Sequence, residues 1–224
     1  MWDDVYAGRA ALAGYTKEQM MTYYLLVTYF FSCLYASVPI AKEIADGTLS
    51  GFLIRPASYL WYQYWQALAR RSFRLLAGFP VVVGVFLFLG KHTALPTDVG
   101  SYILLLFTVF GAVNILFLFD VLIACAEFWM TNSDSVGAIT DNLISFLSGA
   151  LIPLFFLPGI FQQVANFFPF KYAGFFIVNT FLGRESTEGI LTGLGIQGLW
   201  ILILTVVVVW VWRKGLRKYE AFGG

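Results

Sequence analysis

Charge is what this chain has least of. Only 12% of its 224 residues are Asp, Glu, Lys or Arg. A soluble domain carries about 25%, so there is too little polar surface here to coat a globule in water. The net charge of +1 supplies no basic field for nucleic acid. There is one histidine, His92, in the stretch KHTALP. A metal site needs several ligands, so His92 reads as a solvated loop residue. The two cysteines, Cys33 and Cys125, lie in apolar segments. They read as buried, reduced and inert, and no disulfide framework is expected. No G-x-x-x-x-G-K-[ST] loop occurs, so the chain lacks the usual means of holding ATP. Internal repeats and low-complexity tracts are absent too. The opening residues, MWDDVYAGRA, carry acids and no apolar run, so no cleavable signal peptide is expected in them.

What is abundant is apolar. Hydrophobic residues make up 59% of the chain, with 23 Phe, 12 Tyr and 7 Trp. A protein of this size cannot hide them all, and lipid must be the solvent for much of the surface. Segments near the roughly 20 residues of a spanning helix fall at 20–40, 75–89, 100–126, 136–157 and 190–212. The second is short and is expected to begin inside the preceding helix. The apolar region 158–182 is broken by Pro158, Gly159, Pro169 and Gly174, which disfavours one straight span. Two short helices dipping into the membrane from one side are expected instead, covered by protein or facing water. The expected fold is therefore all-α: a polytopic membrane protein of about five spans, forming one domain over 1–224.

Lysine and arginine set the orientation. If the segments alternate, Lys42, Arg55, Arg70, Arg71, Arg74, Arg213, Lys214, Arg217 and Lys218 share one side. Arg9, Lys17, Lys91, Lys171 and Arg184 share the other. Nine against five places the C-terminal tail and the loop 41–74 in the cytoplasm, with 1–19 and 158–189 outside.

The loop contains KEIADGTLSGFLIRP, residues 42–56. Asp46-Gly47-Thr48 reads as a turn followed by a helix cap. Leu49, Phe52 and Leu53 then share one face of a short helix, which Pro56 stops by disfavouring helical geometry at Arg55. The next stretch, ASYLWYQYWQALARRSFR (57–74), suits a helix lying in the headgroup layer. From the residues alone, 42–56 reads equally as an ordinary loop beside an interfacial anchor or as a docking element for a partner.

Polar groups inside the membrane are costly and often functional. Asp120 lies within FLFDVLIA, and Asn114 precedes it by six positions, so the two do not quite share a face. Glu127, Asp141 and Asn142 lie near the cytoplasmic ends of their segments. These residues read either as a polar lining of a substrate path or as contacts between helices, with the second favoured. The aromatic cluster that includes Phe155 and Phe156 reads as an exit path for an apolar substrate or as interfacial packing. Ser148-Gly149 lacks a nearby base, and a serine nucleophile needs one.

The order E-I-x-x-G-T-L-x-x-x-L-I-R-P after a membrane segment resembles the coupling region of type-2 ABC transporter permeases, in the branch of six-span exporters with a GxL…LxRP loop. GYTKEQMMTYYL (14–25), the stretch 127–183 with its SGALIPLFFLP and PF motifs, GIQGLWILIL (195–204) and the terminal Gly223-Gly224 agree along the whole chain. The resemblance implies the membrane half of an ATP-driven exporter in the cytoplasmic membrane, multi-pass, and not itself an enzyme. Its partners would be two copies of a separate ABC ATPase subunit and a second permease chain, alike or related. ATP and Mg would be bound by the ATPase, with no cofactor in this chain. Residues 42–56 would be the coupling helix: Leu49, Phe52 and Leu53 filling a groove on the ATPase, Gly47 forming the turn, and Glu43, Asp46 and Arg55 at the polar rim. The family has six spans, so Met1 would fall in the outer loop after the first. A secondary transporter and a non-transporting membrane scaffold stand as alternatives. The former would be expected to show repeats and more intramembrane charge.

Overall fold

In the computed structural model, residues 6, 11–12, 14–35, 38–89, 99–130 and 134–222 are described. His92, Arg9, Lys91 and Gly223-Gly224, to which the sequence reading gave roles or sides, lie outside them. The described residues are helical apart from turns and a single bridge pairing Leu12 with Tyr15.

Helix α1 spans Lys17–Leu34. It starts where Thr16 and Gln19 form a reciprocal capping box, each side chain bonding the other's backbone N–H, which satisfies two of the helix's orphan donors. Its expected extension to residue 40 does not form. Tyr35 turns extended, and a separate helix α2, Ile40–Ala45, begins after Pro39. After the turn at Gly47 comes α3, Leu49–Leu53.

The largest difference from expectation is α4, Tyr59–Leu89. The interfacial helix and the short second segment are one continuous helix of 31 residues. The Arg-Arg-Ser-Phe-Arg stretch does not end the interfacial helix, because arginine is a good helix former and Arg71 has a partner inside the bundle. Pro80 lies inside this helix, as membrane helices allow where neighbouring groups and small backbone adjustments satisfy the freed carbonyl.

Helix α5, Val99–Ala124, continues into a 3-10 turn, Cys125–Phe128. Helix α6, Asp134–Leu147, stops short of the expected 157. Gly149 takes a left-handed φ of +80° there, which glycine adopts freely. The region beyond forms the two expected short helices, α7 Gly159–Phe167 and α8 Phe175–Phe181, joined by a 3-10 turn at Pro169–Ala173. Helix α9, Thr187–Phe222, closes the chain.

Three stretches among the described residues are long and apolar enough to cross a membrane: Tyr59–Phe88, Tyr102–Phe128 and Thr187–Tyr219. α1, with 18 residues, is about 27 Å long at 1.5 Å per residue. α5 is the central element. Its Ala112, Val113 and Leu116 pack with α1, α6 and α8, while its Ile115, Val121 and Ala124 pack with α2, α4 and α9. α4 and α9 turn large apolar side chains outward, among them Phe73, Leu76, Phe88, Leu202 and Trp210. An apolar exterior over a packed interior suits a lipid solvent. Both cysteines are buried and unpaired with one another, as expected.

Candidate functional site

The sequence points to the segment α2–α3, and its side chains divide into two sets. Leu49 is 0% exposed and packs with Ile44, Tyr59 and Val38 of its own chain. It is the root of α3, which corrects the expectation that it fills a partner's groove. Phe52 is half-buried against Tyr59 and Tyr62, with the Arg55 guanidinium 4.8 Å above its ring. Leu53 is exposed, and Ile54, which the sequence reading passed over, is 86% exposed. A five-residue helix has one inward side. Leu49 anchors the first turn, and exposure rises toward the end of the helix, from the half-buried Phe52 to Leu53 and the capping Ile54.

Glu43 is not at a rim either. Its carboxylate accepts from the Tyr59 hydroxyl and from Gln63 Nε2 at 2.9 Å. It therefore fastens α2 to the first turns of α4. Asp46 caps the end of α2 and is exposed. Gly47 has φ +73°, and its carbonyl accepts from Ser50 Oγ at 2.8 Å and from the Tyr219 hydroxyl of α9 at 2.9 Å. Thr48 makes no side-chain cap bond to α3. Beside this turn lies an open pocket of about 660 Å³, lined in part by Ile44, Ser50, Glu127, Trp129 and Lys218. Three parts of the chain, α2–α3, the 3-10 turn and the end of α9, thus converge at one end of the bundle. Phe128 seats its ring on Gly215, where a Cβ would fall 2.1 Å from the ring.

The four residues read as a substrate path do not come together. Asp120 forms a buried ion pair with Arg71, whose side chain is 1% exposed. The cation counted among the cytoplasmic loop charges is therefore inside the bundle. The remaining positives on that side still outnumber the other side. Asn114 accepts from the Tyr64 hydroxyl at 3.1 Å and donates to the Phe110 carbonyl at 2.8 Å. Both polar groups serve as contacts between helices. Phe155 stacks on Tyr15 at 4.3 Å between ring centroids, and the half-exposed Phe156 leans on Phe155 at 4.6 Å. Tyr15 precedes the start of α1, whereas Arg71 bonds the Leu34 carbonyl at its end. About 27 Å of helix separates the two groups.

The opposite end has its own order. The Tyr15 hydroxyl donates to Asn179 Oδ1 at 2.6 Å, and the Arg184 guanidinium lies 3.8 Å over the Tyr15 ring. Burial raises the pKa of that phenol, against the pull of Arg184 and Asn179. Arg184 also donates to the Gly14 carbonyl at 2.8 Å. Tyr23 donates to the Gly149 carbonyl at 2.8 Å, tying α1 to the break after α6. Ser148 Oγ donates to the Ser145 carbonyl at 3.2 Å and serves the turn. Back at the Leu34 end of α1, Asp141 accepts from the Tyr35 hydroxyl, and exposed Asn142 donates to the Ala138 carbonyl at 2.8 Å. No group of three or more His, Cys, Asp or Glu that could hold a metal occurs among the described residues.

A family model described as ABC-2 family transporter protein matches residues 1–223. The chain belongs to the ABC-2 transporter family. No curated protein and no solved structure matches it. As a permease subunit of an ABC transporter, this ABC-2 protein is a multi-pass membrane component, and its family implies partnership with an ABC ATPase. Sequence reasoning missed Arg71, Ile54 and Tyr219 in its frame. The available signal for Arg71 was Asp120 itself, since an intramembrane carboxylate asks for a cation.

Proposed function

We propose that this chain is the membrane half of an exporter in the cytoplasmic membrane, driven by a separate ATPase that docks on α2–α3. The observation carrying this reading is the outward edge of α3. Leu53 and the two residues that follow it, Ile54 and Arg55, are exposed at the end of a helix whose start is rooted by Leu49 and whose neighbour is fastened by Glu43. An apolar edge on a rooted helix can carry force in a way that a free loop cannot. The assembly would contain two permease chains, alike or related, and two ATPase copies holding ATP and Mg. The last turns of α9 from Arg213 and the segment α2–α3 would face the cytoplasm, and 1–19 with 158–189 the outside.

The experiment is a gentle-detergent pull-down of tagged chain from native membranes, with every co-purifying protein identified. A stoichiometric subunit carrying a Walker A loop is expected, and Ile54→Asp should release it while the permease remains folded. A clean permease with no ATPase would return the secondary-transporter and scaffold readings.

A further inference from the structure

The last carbonyls of a helix have no partner within it. At the end of α1 two arginines of α4 supply them. Arg71 Nε donates to the Leu34 carbonyl at 2.7 Å, and Arg74 Nη1 to the Tyr35 carbonyl at 3.4 Å. The other nitrogens of Arg71 reach α5, donating to the Val113 carbonyl at 3.3 Å and to the Asp120 carboxylate. One guanidinium thus joins α1, α4 and α5. The chain leaves that spot through Pro39 into α2 and α3. The segment offered to the ATPase follows the end of α1 whose Leu34 carbonyl Arg71 grips.

Stability alone gives weak reason for such an arrangement. Apolar side chains of similar volume often replace a buried ion pair with no loss. What they cannot replace is direction. A guanidinium presents donors in a rigid plane, whereas a lysine ammonium is a flexible point charge. Lysine at this place would answer Asp120 or Leu34 but would not span all three helices.

We propose that Arg71 is a positioning residue that transmits movement of α2–α3 into the membrane helices, by fixing the end of α1 to α5 through Val113 and Asp120. This rests on the reading that an ATPase docks at α2–α3. Movement of the docked segment pulls on the Leu34 end of α1. The fork then passes the displacement to α4 and α5 together.

The test uses the permease purified with its ATPase and carrying pairs of spin labels. Lys42→Cys on α2, exposed and away from the edge offered to the ATPase, paired with Ile160→Cys, follows the docked segment. Leu106→Cys with Ile160→Cys follows α5. All three positions are exposed, and native Cys33 and Cys125 are buried. Between the nucleotide-free and vanadate-trapped states, both distances should shift in the parent protein. In Arg71→Gln and Arg71→Lys the first shift should persist and the second should fall by at least half. A full α5 shift in Arg71→Lys overturns the proposal, as does no α5 shift in the parent. If neither variant retains the ATPase, Arg71 is a folding or assembly residue and the proposal also falls. Loss of the ATPase from the parent itself would instead sink the docking reading, and the proposal with it.

Discussion

Both ends of the bundle carry ring contacts, Tyr59 on Trp212 at one and Tyr15 on Phe155 at the other, but the α2–α3 end adds the buried ion pair of Arg71 with Asp120. At the α2–α3 end the fastenings run through charged groups: Arg71 pairs with Asp120, and the carboxylates of Glu43 and Asp141 accept from Tyr59 and Gln63 and from Tyr35. At the other end tyrosines do most of the work: Tyr15 stacks on Phe155 beneath Arg184, and Tyr23 bonds the Gly149 carbonyl. Ionic forks are directional and expensive to leave half-made. Ring contacts are individually worth about 0.5–1.5 kcal/mol beyond their buried area and slide more freely.

The sharpest way to break this contrast is at Arg71. Arg71→Ala leaves Asp120 buried and unpaired, and should destabilise the chain by roughly 3–5 kcal/mol, read as a large fall in Tm of the detergent-solubilised protein. The double replacement Arg71→Met with Asp120→Leu should recover most of that loss. If it does not, the ionic end is also the stability anchor. Next in size is the pair Leu49→Ala and Ile54→Ala. The first should cost about 2–5 kcal/mol and the second about 0.5 kcal/mol or less in the same melt. Equal losses would erase the root-and-edge division of α3. At the aromatic end, Tyr23→Phe strands the Gly149 carbonyl and should cost about 1–3 kcal/mol. A cost as large as that of Arg71→Ala would remove the asymmetry between the ends. Smallest is Gly47→Ala. The position has room, since the nearest atom to a new Cβ is the Tyr219 hydroxyl oxygen at 3.9 Å. Its φ of +73° should therefore cost about 1–2 kcal/mol and no more.

Hydropathy made α5 and α9 legible, because their windows are long, apolar and free of charge until the ends. The breakers at Pro158, Pro169 and Gly174 likewise announced α7 and α8. The merging of two elements into α4 was hidden by Arg70, Arg71 and Arg74, which read as the edge of the membrane when taken as a run. Only the pairing of Arg71 with a carboxylate 49 positions away lets a charged turn stay inside. For α3 the periodicity grouped Leu49, Phe52 and Leu53, and the structure divides them: Leu49 is buried, Phe52 half-buried and Leu53 exposed. Five residues show which side chains share a face, but the choice between chain interior and partner depends on Tyr59, Ile44 and Val38 arriving from elsewhere. Asn114 and Asp120 were correctly separated by their spacing, yet their partners Tyr64 and Arg71 both come from α4, whose extent was itself misjudged.

Helix α9 has 36 residues, about 54 Å at 1.5 Å per residue, against an apolar bilayer thickness of about 30 Å. Its apolar stretch sets its place in the lipid, and its last turns extend to Tyr219, which bonds the Gly47 carbonyl. The helix is thus a yardstick from the bilayer to the turn before α3. A helix in thicker or thinner lipid changes its tilt, and Tyr219 moves with it. The depth at which the turn sits should therefore follow acyl-chain length, read as a change in accessibility of a label at Ile54 between nanodiscs of short and long lipids. Tyr219→Phe should flatten that dependence.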